Sequence, residues 1–356
     1  KVYETKTEIK DANEEKATIP AGFAVNDLHN EVKDGLVIKR MKDNKGNTIE
    51  DGDEFVWVPV KDAIYDKKKA DELANSQTSD STYKPMARKQ GNFATTDSNY
   101  YEGILYNYSI NCKTGSYVQA TTNVLGTSKN NREVSLITNS GTQLGWKYIN
   151  SGTSYDASET YYNKILHFNS ANAFGEYMNE SYNEMVNSVA NYGGFWVARY
   201  ETSAPTKGIV QSTSGKKVMT ANWYDMYYNQ ESKINSNNPY YNSNDVVSTM
   251  IFGSQWDAML NWMLTGSDSS KIFKVIGNHE DVVATTGKYG SDYINNIFDT
   301  SSNVRDMTQE ANNKSFRVYR GGTYGINGNT VSSDRNNAGT TSPSSIIGTR
   351  FTLYLK

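Results

Sequence analysis

Catalysis and metal binding need titratable or soft side chains, and this sequence is sparing with them. Its 356 residues hold three histidines, His29, His167 and His279, and one cysteine, Cys112. A single cysteine excludes an intrachain disulfide, a two-cysteine redox centre and a cysteine-based zinc site. No Gly-rich loop with Gly-Lys-Ser/Thr, His-Glu-x-x-His run or Gly-x-Ser-x-Gly elbow is present. His279 and Glu280 fall in Gly277-Asn278-His279-Glu280-Asp281, which reads as a solvated polar turn. Asp51 and Asp53 suit a solvated turn equally well, since sequence spacing alone does not set two carboxylates roughly 5–10 Å apart across a cleft. Lys and Arg number 36 against 39 Asp and Glu, a formal charge of −3. A nearly neutral chain lacks the basic face that displaces counterions from nucleic acid.

The elements that would position any site follow from patterning. Tyrosine is heavily used, 26 residues against 11 Phe and 6 Trp, and these rings can fill a core although only 37% of the chain is hydrophobic. Residues 1–34 form a charged lead-in, a stalk or edge strand with a stop at Pro20. Gly35 to Lys39 is a short strand candidate, followed by a turn at Lys45-Gly46. Glu54 to Val60, entered from Asp51-Gly52-Asp53, predicts a strand ended by Pro59. Residues 61–165 form a polar insertion of weak periodicity, with a hairpin expected around Ile104–Tyr108. Phe174, Tyr177, Met178, Tyr182, Met185 and Val189 recur at three- and four-residue spacing and predict a helix over Ser170–Val189, stopped near Gly193-Gly194. Phe195 to Glu201 reads as a strand. A second helix is expected over Gly253–Leu264 with Ser254 as its N-cap and Trp256, Met259, Leu260 and Met263 as its apolar stripe. Beyond Asn295 the chain turns to short strands and polar loops, closing on the alternating Thr349 to Leu355. The class is α+β. No apolar run reaches the 18 or so residues of a membrane helix. A chain that starts at Lys1 without an initiator Met reads as a processed or a trimmed form, which leaves room for a removed N-terminal anchor.

One segment is specific. Tyr293-Ile294-Asn295-Asn296-Ile297-Phe298-Asp299-Thr300-Ser301-Ser302-Asn303-Val304-Arg305-Asp306-Met307 precedes Phe316-Arg317-Val318-Tyr319-Arg320-Gly321-Gly322-Thr323-Tyr324, and the chain closes on Ile347-Gly348-Thr349-Arg350-Phe351. In that order they resemble the "N-x-x-D-x-x-G-N-V-W-E-W-T", "R-V-x-R-G-G-S-W/Y" and "I-G-F-R" motifs of the formylglycine-generating-enzyme (sulfatase-modifying factor) family. Glu54–Val60, Phe195–Thr202, Asn222-Trp223-Tyr224-Asp225 and Gly253–Trp262 are looser matches in the family's order. The resemblance covers about residues 35–60 and 170–356. It implies a C-type-lectin-like fold, with two main helices, twisted antiparallel sheets, long loops and adjacent chain ends.

The departures from the family decide the functional expectation. Its enzymes hold copper through two cysteines after "R-G-G", and Thr323–Ile347 has none, so no copper and no oxidase activity are expected. The family's structural calcium, bound by the Asn and Glu of "G-N-V-W-E", maps onto Asn303, Val304 and Asp306, the Val304 carbonyl included. The alternative at that position is a tight polar turn held by Asx hydrogen bonds.

The window Gly321–Gly348 contains no Lys, Glu, Gln, Met or Trp. Randomising the adenines of an Asn codon yields Asn, Ser, Thr, Tyr, Asp, Gly, Ile, Val and Ala among others, and cannot yield those five. Proteins diversified by retroelements are similar in carrying their variable segment between "R-G-G" and "I-G-x-R" of such a fold. Tyr324, Ile326, Asn327, Asn329, Thr330, Asn336, Asn337, Thr341 and Ser344 are therefore the candidate residues of a variable binding surface, whose small polar and aromatic side chains suit adaptable recognition. An ordinary Asn-, Ser- and Thr-rich exposed loop would share that composition. Arg320, Gly321, Gly322 and Arg350 are expected to hold the fold. The expectation is a non-enzymatic receptor or adhesin at the surface of a Gram-positive bacterium, membrane-attached only through the removed anchor. Its ligand would be a protein or glycan of another cell or phage. The alternatives are an enzyme of the same family with altered chemistry and a structural phage or pilus component.

Overall fold

The structure, a computed structural model, describes residues 1–60, 108–110, 117–119 and 160–356, except 207–208, 264–265, 274–275, 314–315, 326–331 and 333–334. It is a mixed α+β fold in which sheets dominate. The main sheet has six strands: β3 (Phe23–Val25), β4 (Val37–Arg40), β5 (Glu54–Pro59), β8 (Gly194–Ala198), β11 (Val246–Met250) and β18 (Phe351–Leu355). They lie in the order β11-β18-β8-β5-β4-β3, each neighbouring pair antiparallel.

Side chains alternate between the faces of a strand, and in β5 both faces are apolar because both are covered. Val56 and Val58 join Phe195, Val197 and Tyr354 in the larger core cluster. That side carries helix α1 (Ala171–Tyr192), helix α2 (Trp223–Gln230) and helix α3 (Gly253–Met263). Phe55 and Trp57 join Trp196, Leu353 and Leu355 on the opposite face. There the antiparallel hairpin of β1 (Thr7–Lys10) and β2 (Lys16–Ile19) closes the core with Ala17 and Ile19. Trp196 Nε1 donates to the Thr18 carbonyl at 2.9 Å and pins that hairpin down. The expected lead-in is thus not a free stalk: Ala17, Ile19 and Phe23 are core residues, and β3 is a strand of the main sheet. The chain ends meet where Lys6 Nζ donates to the Lys356 carbonyl.

Helix α1 follows its predicted stripe. Ser170 caps it by accepting from the Ala173 amide at 3.1 Å, and Gly193 ends it at φ 73°. Helix α3 begins one residue before the expected cap. Ser254 is buried inside it, and the Gln255 side chain accepts from the Phe252 amide at 3.1 Å instead. Helix α2 is an addition to the two expected helices, capped by Asn222, whose Oδ1 accepts from the Asp225 amide at 3.0 Å. The insertion contributes one described hairpin, β6 (Tyr108–Ile110) with β7 (Tyr117–Gln119); Ile104–Asn107 and Cys112 lie outside the described residues.

Two short antiparallel hairpins, β9 (Ser203–Thr206) with β10 (Ile209–Gln211) and β12 (Tyr293–Ile294) with β13 (Ile297–Phe298), precede a second sheet. Its strands are β14 (Arg305–Asn313), β15 (Phe316–Arg320), β16 (Arg335–Gly339) and β17 (Ile347–Thr349), in the order β16-β15-β14-β17. β17 lies parallel to β14, with Arg305 opposite Ile347, and the other pairs are antiparallel. Residues 340–346 therefore cross from one edge of this sheet to the other. Among the described residues no helix is long and apolar enough to cross a membrane.

Candidate functional site

The site has a buried frame and an exposed strap. The frame begins at Gly321 and Gly322. Gly321 has φ +78°, and a Cβ on it would lie 2.3 Å from the Thr300 carbonyl oxygen. A Cβ on Gly322 would lie 1.7 Å from the Ser301 carbonyl oxygen. Only glycine lets β15 leave its sheet pressed against Thr300-Ser301 in this way. At the other end of the strap, a Cβ on Gly348 would meet Val304 Cγ2 at 2.6 Å.

Arg350 is fully buried and tied to three elements. Its Nε meets Asp306 Oδ2 at 3.2 Å, and its terminal nitrogens donate to the carbonyls of Ala198 (2.9 Å) and Phe298 (2.7 Å). Around it lie four carboxylates, Glu201, Asp292, Asp299 and Asp306, none more than 2% exposed. Burial disfavours their charged forms and raises all four. Asp292 is pushed up to about 8, by burial and then by the charge of neighbouring Asp299. Asp306 rises to about 6 through burial, held back by Arg350. The Ser302 hydroxyl donates to Asp292, and the Gly287 amide to Asp299 Oδ2 at 3.0 Å. All four carboxylates lie inside the fold, away from solvent.

Asn303 is the hub that joins frame to strap. It sits at φ +59°, a left-handed conformation that asparagine tolerates well. Its Oδ1 accepts from Asn278 Nδ2 (3.0 Å) and from the Ala284 amide (2.8 Å). Its Nδ2 donates to Glu201 Oε2 at 2.5 Å, and the Val304 amide donates to Glu201 Oε1 at 2.9 Å. Its backbone carbonyl accepts from the Tyr324 amide (2.8 Å) and the Thr323 hydroxyl (3.2 Å). The three residues that the resemblance assigns to calcium are therefore engaged within the protein. Asn303 turns its oxygen to two N–H donors, Val304 is held through its amide, and Asp306 faces a guanidinium. Asp306 Oδ1 is buried without a hydrogen-bond partner. Among the described residues no group of three or more His, Cys, Asp or Glu is placed to hold a metal ion.

The strap itself divides. Tyr324 is part-exposed beside Asn303, and Asn336 and Asn337 lie on β16 opposite Tyr319 and Val318. Thr341 is exposed and Ser344 part-exposed on the crossing segment. Ile326, Asn327, Asn329 and Thr330 lie outside the described residues. Ser332, in the same window, is an anchor: it is fully buried, its hydroxyl pairs with that of Thr300 (2.8 Å), and its carbonyl accepts from Trp256 Nε1 (3.0 Å). The crossing ends where the Trp223 amide donates to the Thr340 carbonyl (3.0 Å) and the Arg305 amide to the Ile346 carbonyl (3.0 Å).

Comparison of the chain with models of protein families, with curated proteins and with solved structures returns no match.

Sequence reasoning missed Glu201, Asp292, Asp299, Asn278 and Ser332 as parts of the site. Asp299 and Glu201 lie inside the motif matches but had no role assigned, and Asp292 lies outside them. Nothing local marks a carboxylate whose partners come from several distant segments.

Proposed function

We propose that the chain is a non-enzymatic ligand-binding module of C-type-lectin-like fold, with residues 323–346 as its binding face. The observation that carries this is the contrast along one continuous segment. Gly321, Gly322 and Thr323 at one end, Ile347 to Arg350 at the other, and Ser332 between them are buried, while Thr341–Pro343 and Ser345 are exposed. A segment clamped at several points can change its outward side chains at little cost to the fold. Its residue types, rich in Ser, Thr, Asn and Gly with Tyr324, are those of adaptable recognition surfaces.

The order of motifs and the frame contacts of Arg320-Gly321-Gly322 and Ile347-Gly348-Thr349-Arg350 support a formylglycine-generating-enzyme-like ancestry. Copper chemistry of that family does not fit, because the whole chain has one cysteine. We further propose that Arg350 and protons, rather than calcium, balance the buried carboxylates. The composition of Gly321–Gly348 supports diversification at adenines, and an extracellular site on a bacterial surface follows as part of this reading.

Deep sequencing of the last 40 or so codons across cells of the source population tests the reading. Substitutions confined to adenines between Gly322 and Ile347 are expected. An invariant segment would overturn diversification.

A further inference from the structure

The strap has a rigid neighbour that does no work for the core. Residues 280–283 form the tip of a loop in which Val282 is 64% and Val283 39% exposed. Glu280 and Asp281 beside them are exposed and form none of the ion pairs among the described residues. The tip is nevertheless held firmly. Asn278, 1% exposed, donates from Nδ2 to the Val282 carbonyl (2.9 Å) and accepts on Oδ1 from the Glu280 amide (3.1 Å). The Ala284 amide is fixed on Asn303 Oδ1, and the Asn303 amide donates to the Asn278 carbonyl (3.1 Å). The same asparagine anchors the start of the strap, and the Gly325 amide donates directly to the Glu280 carbonyl at 2.9 Å. One residue, Asn303, thus sets the tip and the strap at a fixed distance.

We propose that Glu280–Val283 is a constant wall of the binding face, and that its partner is a folded protein presenting an apolar side chain ringed by lysine or arginine. This rests on the binding role of the strap proposed above. Three arguments lead to it. The valines are preordered, so burying them on binding costs little side-chain or loop entropy. Apolar centres with charged rims are the pattern of protein–protein contacts, and the unpaired Glu280 and Asp281 carboxylates complement a basic rim. Two branched aliphatic side chains offer a sugar neither a ring face to stack on nor a polar fork. The division of labour is then a fixed wall supplying baseline affinity and a strap supplying choice of partner.

The full chain displayed on yeast tests this, with Tyr324, Asn337, Thr341 and Ser344 randomised. Two frames are used, the natural tip and one carrying Val282→Ser with Val283→Ser. Each is selected against lysozyme, a basic folded protein, and against mannan, a neutral polysaccharide. Both valines are exposed, so the two frames should display and melt alike. Lysozyme binders should arise from the natural frame and lose about tenfold or more in affinity when the serines are introduced. Glu280→Gln with Asp281→Asn should slow association and flatten its salt dependence. Lysozyme binders indifferent to the serines, or binders to mannan alone, would overturn the wall and its partner class while leaving the strap's role standing. A dimer of the natural chain that the serines abolish would assign the tip to a second copy and overturn the proposal. No binder from either frame would overturn the strap's binding role and this inference with it.

Discussion

Two regions around the second sheet use polar residues in opposite ways. Around Arg350, four carboxylates, Asn303 and Ser302 are buried, with Glu201 and Asn303 joined across 102 residues and Asp306 and Arg350 across 44. Along residues 341–345, polar residues of similar size face water, and the backbone on either side is tied down at Thr340 and Ile346. Buried polar groups are costly unless every partner is in place, so the frame specifies one arrangement. Exposed ones carry almost no such obligation. The difference shows how one sheet can be both exacting and permissive: permission is granted only to side chains whose backbone is already fixed.

The comparison can be broken most severely at the glycine cradle. Gly322→Ala places a methyl 1.7 Å from the Ser301 carbonyl oxygen, and should cost more than about 4 kcal/mol or abolish folding, read from urea denaturation. Next comes Arg350→Met, which strands Asp306 and two buried carbonyls. A loss of about 3–5 kcal/mol is expected, and a loss below about 1 kcal/mol would deny the guanidinium its role.

Acidity sharpens the comparison. Asp292 is raised from its ordinary value to about 8 and Asp306 to about 6. Below about pH 4 these groups are protonated in both folded and unfolded chains. Between about pH 4 and 8 for Asp292, and about pH 4 and 6 for Asp306, the folded chain keeps protons that the unfolded chain gives up, so stability falls as pH rises, by up to about 1.4 kcal/mol per pH unit per group within its window. Asp292→Asn should flatten that fall, as measured by denaturation across the range. A slope unchanged by the substitution would remove Asp292 from the account.

Smaller effects belong to metal and strap. Since Asn303 and Asp306 are engaged by protein donors, EDTA should leave the melting temperature unchanged; a fall on chelation, restored by calcium, would reinstate the cation. Thr341→Ala and Ser344→Ala should each change stability by no more than about 0.5 kcal/mol.

The two regions also differ in how far the sequence disclosed them. Helix α1 was legible because six apolar residues keep a helical period between Ser170 and Gly193, both local signals. Strand β5 was legible from Phe55 to Val58 and its terminating proline. Helix α2 was not, since Tyr224, Tyr227 and Tyr228 are weak helix formers and its eight residues are fixed by packing against the sheet. The burial of Ala17, Ile19 and Phe23 was hidden among charged neighbours. The glycine pair and Arg350 could be singled out by motif, yet their contacts on Thr300, Ser301, Ala198 and Phe298 could not. Ser332 shows the limit best: by composition it belongs to the variable window, and only its bonds to Thr300 and Trp256 make it frame.

A saturation substitution scan over residues 320–350, reading the amount of folded protein displayed on cells, tests the division most directly. The account predicts a sharp contrast. Arg320, Gly321, Gly322, Ser332, Gly348 and Arg350 should accept almost no replacement, while Tyr324, Asn337, Thr341 and Ser344 accept nearly all. Uniform intolerance across the window, or free replacement at Ser332 and Gly322, would contradict it.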